Sequence, residues 1–168
     1  MGRWRPPRQA GSPYITPAGY RALQDELEAL WPQRRDVVAA LSAAAAEGDR
    51  SENAEYIYRK KELGGIDRRI RYLQKRLPSL EIVRHSLAPD RVFFGATVTL
   101  DVGKDEPVIY RVVGEDEADP SNGKINIDSP LAQALMKKRI GDEALITRDK
   151  KQTKAVIESI DYETDADK

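Results

Sequence analysis

A repeat of leucine and isoleucine in residues 63–80 constrains the fold of this chain more than any other feature. Apolar side chains recur at alternating spacings of three and four residues, at Leu63, Ile66, Ile70, Leu73, Leu77 and Leu80. This spacing forms the apolar seam of a coiled coil, so it predicts a helix that must pack against a second helix. The rest of the chain therefore has to supply a partner helix.

The partner helix is predicted to begin at Thr16-Pro17. Thr16 can cap a helix, and proline suits the first helical position, where its missing N–H would have no helical partner. Pro32 falls inside this helix and is expected to kink it, whereas Gly48 is placed to end it. The apolar seam that follows is broken only at its fifth member: Tyr20, Leu23, Leu27, Leu30, Arg34, Val37, Leu41 and Ala44.

Two such helices joined by a short turn can bury their seams against each other as an antiparallel coiled-coil hairpin. We assign residues 14–80 to this hairpin and residues 48–56 to its acidic tip. About 30 residues in each arm give a stalk of roughly 45 Å at a rise of about 1.5 Å per residue. Gly64-Gly65 interrupts the second helix at a cost of about 1 kcal/mol per glycine relative to alanine.

Beyond residue 91 the apolar pattern changes to a period of two, with many β-branched residues. Ser129-Pro130 repeats the capping logic of Thr16-Pro17 and predicts one short helix over residues 131–139. The predicted strands span residues 92–100, 107–113, 124–127, 144–147 and 155–160. These elements predict a compact α+β domain over residues 92–162. The remaining segments are a disordered basic arm (1–13), a linker (81–91) and an acidic tail (163–168).

The composition argues against an autonomous enzyme. The chain has no cysteine, which excludes disulfides, thiolate metal sites and cysteine nucleophiles, and its single histidine, His85, lies in the predicted linker and is assigned no role. The sequence has no glycine-rich phosphate loop, no cluster of metal ligands and no Ser/His/Asp set. Since it also has no secretory signal and no apolar run of about 20 residues, we expect a cytoplasmic protein that does not enter a membrane.

The acidic tip carries the strongest functional signal. Asp49 and Glu52 lie where one helical pattern ends and the next begins. An Asp-x-x-Glu spacing is typical of a capping box, and the residue types alone favour that structural interpretation. Alternatively, both carboxylates point outward as ligands of a divalent cation. Two carboxylates are too few for a tight magnesium site, so such a tip would need a partner that already holds the metal and a phosphodiester.

Basic residues outnumber acidic ones in the segment behind the tip. A run of charge is most often the solvated face of a coiled coil. The alternative is contact with nucleic-acid phosphates, with Tyr56 and Tyr58 able to stack on bases. The candidate phosphate contacts are Arg59, Lys60, Lys61, Arg68 and Arg69.

Four strings of the sequence resemble the bacterial Gre transcript cleavage factor family (GreA/GreB). They are GDRSENAEY (48–56), IDRRIRYL (66–73), VFFGATV (92–98) and DSPLAQAL (128–135), and the tip is closer to the GreB branch. The resemblance runs from about residue 14 to about residue 160. It implies an N-terminal antiparallel coiled-coil hairpin followed by a C-terminal FKBP-like α+β domain. It also implies a monomeric elongation factor that docks at the secondary channel rim of bacterial RNA polymerase and inserts its hairpin.

The resemblance further assigns roles to individual residues. Asp49 and Glu52 are expected to hold the second Mg²⁺ ion jointly with the polymerase, with no cofactor bound by the chain alone. The factor would thus stimulate the polymerase's own nuclease rather than be an enzyme, and its basic flank would hold the nascent RNA 3′ end. The residues expected to support the tip are Ser51, Asn53, Glu55 and Tyr56. Those expected to dock on the polymerase are Asp128, Ser129 and Pro130.

Two rival functions remain open at the level of sequence. One is a regulator of the same shape that binds the secondary channel without stimulating cleavage. The other is a structural coiled-coil/FKBP-like adaptor whose tip has no chemical role. Asp49, Glu52 and the basic flank favour the cleavage factor.

Overall fold

The computed structural model describes residues 10–48, 53–103 and 106–164. The chain divides into two units, one formed by Ala18–Leu80 and the other by Met1–Pro17 together with Glu81–Lys168. The first unit is a helical hairpin and the second is built on a β-sheet. The predicted fold class, a helical hairpin followed by an α+β domain, is confirmed.

The hairpin contains two long helices, α1 (Pro17–Ala45) and α2 (Ala54–Arg76). Helix α1 begins at the predicted proline and continues through Pro32, although that residue cannot donate a backbone hydrogen bond. It ends just before Gly48, whose φ of 133° is favourable only for glycine. Helix α2 begins later than residues 49–52, where the sequence pattern placed its start.

The apolar seams of the two helices meet as predicted. Val37, Ile66 and Ile70 are buried together, and Leu27, Leu30 and Leu63 pack against them. Burying a large aliphatic side chain contributes about 1.5–3 kcal/mol, so this cluster supplies much of the driving force for pairing.

Ion pairs cross between the helices of the hairpin. Arg34, which breaks the predicted seam, binds Asp67 with an N–O distance of 2.7 Å. Arg69 donates to both carboxylate oxygens of Glu26, at 2.5 and 2.8 Å. The partner numbers fall along α1 as they rise along α2, which shows that the two helices are antiparallel.

Asn53 caps α2 and also links it to α1. Its Oδ1 accepts a hydrogen bond from the backbone N–H of Tyr56 at 3.0 Å, which satisfies a helix N-terminal donor. Its Nδ2 donates to the backbone carbonyl of Ala44 at 2.7 Å. One side chain thus joins the end of α1 to the beginning of α2.

The second unit contains a five-stranded sheet and a small parallel pair of strands. Strands β1 (Tyr14–Ile15) and β2 (Glu81–Ile82) form the parallel pair. The sheet has the order β5-β4-β3-β7-β6, in which only β4 and β5 are parallel. Its strands are β3 (Thr97–Asp101), β4 (Val108–Val113), β5 (Lys124–Asn126), β6 (Glu143–Arg148) and β7 (Lys151–Asp161), and helix α3 (Pro130–Leu135) lies between β5 and β6.

Alternation along the strands places one set of side chains in a common core. Ala132 and Leu135 of α3 join this core and are fully buried. The strand residues that share it include Val98, Leu100, Val112, Ala144, Ile146, Ala155 and Ile157. Strands β6 and β7 are joined at Asp149 and Lys150, which both have positive φ, as the common two-residue hairpin turn requires.

The sheet unit differs from the sequence prediction in several places. The strand predicted over 92–100 begins only at Thr97, because Gly95 has a φ of 85° that interrupts extended backbone. The helix predicted over 131–139 ends at Leu135, and Lys137 then adopts a left-handed φ of 66°. Strands β1 and β2 are too short to produce a periodic signal. In the described part of the chain, none of the helices has the length and apolar character needed to cross a bilayer.

The Glu26–Arg69 pair makes the stability of the hairpin depend on pH. The hydrogen bond from Arg69, and then the charge of Arg69, lower the pKa of Glu26. The pair therefore stabilises the fold fully above the ordinary glutamate pKa of about 4.3, and this stabilisation is lost as the pH falls through the lowered pKa. We expect Glu26→Gln to lower the thermal midpoint of helical circular dichroism at pH 7. Both side chains are more than a third exposed, so the loss should not exceed about 1 kcal/mol.

The difference between the wild type and Glu26→Gln should shrink below about pH 4, since the wild-type carboxylate then becomes neutral too. Glu28→Gln removes the same charge from an exposed position of the same helix and is the matched control. If the thermal midpoint of Glu26→Gln lay below that of the wild type by the same amount from pH 7 to pH 3, the Glu26–Arg69 pair would not be the source of the pH dependence.

Asn53 offers a second test, because its two hydrogen bonds can be removed separately. Asn53→Ala loses both the cap and the link to Ala44, and we expect a loss of at least about 1 kcal/mol in the free energy of unfolding. Asn53→Asp keeps an acceptor for the cap but loses the amide donor, so it should retain part of the stability. Denaturant unfolding measures both, and an alanine variant as stable as the wild type would refute the double role.

Candidate functional site

The tip of the hairpin is described on both sides of the predicted metal ligands. Asp49, Ser51 and Glu52 themselves lie outside the described residues, which resume at Asn53. The segment that carries these acids connects two helix ends that the Asn53–Ala44 hydrogen bond holds together.

The capping interpretation of the acidic pair is wrong for α2. A capping box with Asp49 as the cap would make residue 50 the first helical residue. Helix α2 instead begins at Ala54, and the side chain that caps it is that of Asn53. Capping of α2 therefore does not explain why Asp49 and Glu52 are carboxylates.

The first turn of α2 presents both charged and apolar side chains. Glu55 accepts a hydrogen bond from Arg59 at 2.7 Å, and Tyr56 is partly buried while its N–H binds Asn53. The next two side chains, Ile57 and Tyr58, are 53% and 59% exposed. The tip end of α2 thus has an exposed apolar and an exposed aromatic side chain.

Two of the five predicted RNA contacts are already engaged by carboxylates of the hairpin. Arg59 binds Glu55 and Glu62, which together raise its pKa, and its guanidinium lies 5.4 Å from the centroid of the Tyr58 ring. Arg69 is held by Glu26. Arg59 therefore stabilises α2 itself, Arg69 links α2 to α1, and both carry little uncompensated charge.

The other three predicted contacts keep their positive charge. Lys60, Lys61 and Arg68 are exposed and form no ion pair with any residue that the structure describes. Arg68 lies seven residues after Lys61 and eight after Lys60, so at about 3.6 residues per turn all three lie on one side of α2. The guanidinium of Arg68 lies over Gly64, where a Cβ atom would approach its Nη1 to 3.4 Å. The hairpin thus has a cationic strip behind its tip, which we define as Lys60, Lys61 and Arg68.

The predicted docking residues lie at the beginning of α3 in the sheet unit. Ser129 caps this helix by accepting a hydrogen bond from Ala132 N–H at 3.2 Å, and Pro130 is the first helical residue, as the sequence predicted. The N–H of Asp128 donates to Asn126 Oδ1 at 3.0 Å. Gln133 Nε2 donates to the carbonyl of Ile127 at 2.7 Å. The loop is therefore fixed from several directions.

Sequence reasoning missed the residues that contact this loop from the N-terminal side. The backbone N–H of Ser12 donates to Asp128 Oδ2 at 2.8 Å, and its hydroxyl donates to Asp128 Oδ1. Residues 11–13 were assigned to a disordered arm, yet they contact the sheet unit. Gly11-Ser12-Pro13 resembles any linker, and its partner lies 116 residues away, so the sequence carried no local signal of this contact.

The described residues contain no group of three or more histidine, cysteine or acidic side chains able to hold a metal ion. The conclusion covers only that part of the chain, and Asp49 and Glu52 lie outside it.

Comparison with known proteins places the chain in a family. Residues 13–82 match the N-terminal model and residues 87–162 the C-terminal model of the GreA/GreB transcription elongation factors. The chain is 54% identical over 167 residues to the transcription elongation factor GreB of Xanthomonas axonopodis pv. citri, covering 96% of this chain and 98% of the relative. It is 55% identical over 148 residues to GreB of Pseudomonas aeruginosa, covering 87% and 88%.

Among solved structures, GreA factor homolog 1 of Thermus thermophilus is 24% identical, covering 88% of this chain and 97% of that one. The TM-score of this pair is 0.41. The two family models and the GreB relatives together span nearly the whole sequence. The chain belongs to the GreA/GreB family of transcription elongation factors.

Proposed function

We propose that this transcription elongation factor stimulates endonucleolytic cleavage of backtracked RNA by RNA polymerase. Its hairpin would enter the secondary channel and bring the acidic tip to the polymerase active site. The observation that carries the proposal is the start of α2 at Ala54 under the Asn53 cap. Because Asn53 is the cap, α2 does not need Asp49 as its N-cap.

The acidic pair suits a shared magnesium site. Carboxylate oxygens are hard ligands that Mg²⁺ prefers, but two of them leave most of an octahedral shell to be filled. The polymerase and an RNA phosphate would supply the remaining ligands. When bound, a second metal ion orients a water molecule and stabilises charge during displacement at phosphorus. Asp49 and Glu52 would therefore help to hold that ion, while the nuclease remains the polymerase.

The cationic strip is proposed to bind the extruded RNA 3′ segment. Lys60, Lys61 and Arg68 have charges that no described carboxylate compensates, so they are available for phosphates. Arg59 would act mainly by stabilising α2 and Arg69 by joining the two helices, because both are already engaged by glutamates. Tyr58 remains exposed enough for a base to stack on its ring.

The loop of Asp128, Ser129 and Pro130 is proposed to dock on the rim of the secondary channel. Asp128 and Pro130 are exposed, and the hydrogen bonds of Asn126, Ser129 and Gln133 hold the loop in one conformation. A rigid, exposed loop loses little entropy when it binds, which favours its use as a contact surface.

The proposal is tested on backtracked complexes of the cognate polymerase with magnesium. We expect the wild type to release short 3′ RNA fragments, and Asp49→Ala or Glu52→Ala to slow this at least about tenfold at saturating factor, since each removes a ligand of the shared ion. The thermal midpoint should change little. Glu47→Ala removes a neighbouring exposed carboxylate and should cleave normally.

Two results would contradict the proposal. Absence of fragments with the wild type would favour a regulator that binds without stimulating cleavage. Normal cleavage by both variants would show that the acidic pair is not needed for the reaction.

The two classes of basic residue give a separate prediction. Lys61→Ala should weaken cleavage at subsaturating factor and reduce its salt dependence by about one counterion, as expected for a lost phosphate contact. Arg59→Ala should instead lower the thermal midpoint of the hairpin. Lys75→Ala removes the same charge far from the tip on the same helix and is the control. If Lys61→Ala and the wild type showed the same salt dependence of cleavage, the cationic strip would not bind RNA phosphates.

A further inference from the structure

Residues 11–16 form a strap that crosses the sheet unit next to the proposed docking loop. The carbonyl of Pro13 accepts a hydrogen bond from Glu81 N–H at 2.8 Å, and the carbonyl of Ile15 accepts one from Val83 N–H at 3.0 Å. At its far end Thr16 N–H donates to Glu117 Oε2 at 3.0 Å. The strap is therefore hydrogen-bonded along its length and does not behave as a loose tail.

The strap also fits closely against the unit. Ile15 is fully buried, and the Tyr14 ring lies with its centroid 5.9 Å from that of Phe94. A Cβ atom on residue 114 would lie 2.1 Å from the carbonyl oxygen of Tyr14, so any residue other than glycine would clash there. The course of the strap is thus fixed by packing as well as by hydrogen bonds.

At its beginning the strap holds the Asp128 carboxylate by both oxygens. Ser12 N–H donates to Oδ2 at 2.8 Å, and the Ser12 hydroxyl donates to Oδ1. Gly11 lies beside the same group, since a Cβ there would be 3.4 Å from Asp128 Oδ2 and 2.2 Å from Glu115 Oε2. An exposed aspartate would otherwise rotate freely and lose that freedom on binding.

We propose that Ser12 is a positioning residue for polymerase docking, which it serves by fixing the orientation of the Asp128 carboxylate before the two proteins meet. This inference depends on the proposed docking role of Asp128. Each carboxylate oxygen has two lone-pair directions, so an oxygen that accepts from Ser12 can also accept from a cationic group of the polymerase. The strap lowers the entropy cost of docking without making the contact itself.

The test separates binding from chemistry. Affinity is measured by anisotropy of the fluorescently labelled factor titrated with core polymerase, and cleavage is measured on backtracked complexes at saturating factor. We expect Ser12→Ala to weaken binding about three- to tenfold, because it removes one of two hydrogen bonds to a charged group, and to leave the saturated cleavage rate unchanged. Ser12→Thr keeps the hydroxyl and should restore the affinity.

Two controls exclude a general effect on folding. Ser121→Ala removes another serine–aspartate hydrogen bond of the same unit, to Asp119 at 2.6 Å, and should bind normally. In an Asp128→Ala background, Ser12→Ala should cause no further loss of affinity, because the carboxylate that Ser12 positions has already been removed. Thermal midpoints of all variants show whether any has lost its fold.

Three results would overturn the inference: unchanged affinity of Ser12→Ala, tighter binding by that variant, or an equal loss in the Asp128→Ala background. Tighter binding would mean that Ser12 masks Asp128. A wild type that binds polymerase without stimulating cleavage would refute the proposed function and leave the role of Ser12 to be decided by the affinities. A wild type that does not bind would refute both.

Discussion

The pairing of two apolar seams is the constraint on which the hairpin depends. A single helix with one apolar face is marginal in water, so neither α1 nor α2 is expected to persist alone. The cluster around Val37, Ile66 and Ile70 gives each helix the surface that the other lacks. The short connection then forces the antiparallel arrangement, and Asn53 fixes α2 to the last turn of α1. The position of the acidic tip in the chain follows from this pairing, since the tip is the segment that connects the two helices.

The basic residues of the hairpin divide into two groups. Arg34, Arg59 and Arg69 bind carboxylates of the hairpin and reinforce its structure. Lys60 and Lys61 differ from Arg59 only by one and two positions, yet no described carboxylate binds them. The spacing along α2 decides the difference, because Arg59 follows Glu55 by four residues and precedes Glu62 by three, whereas Lys60 and Lys61 have no acid three or four residues away. Only some members of the basic run therefore keep a charge that no described carboxylate compensates.

Patterns in the sequence predicted the elements that are determined by interactions between residues close together in the chain. The heptad seams, the proline-led starts of α1 and α3 and most of the sheet strands follow from periodicity and capping. The start of α2 was misplaced, because several residues between 49 and 53 are good caps and tertiary contact with Ala44 selects Asn53. The strap was missed since its partners, Glu81 and Asp128, are remote in sequence. The contacts that could not be predicted from the sequence join segments whose composition is that of ordinary loops.

The choice of asparagine as the cap of α2 has a chemical consequence for the tip. An aspartate cap also satisfies the helix N–H groups, but its carboxylate is then stabilised by those donors and is a weaker ligand for a cation. Asn53 caps α2 with a neutral side chain, and its amide group also donates a hydrogen bond to the carbonyl of Ala44. The acids that precede it in the sequence, Asp49 and Glu52, are therefore not required by α2. The capping of α2 and the proposed binding of the metal ion therefore fall to different side chains.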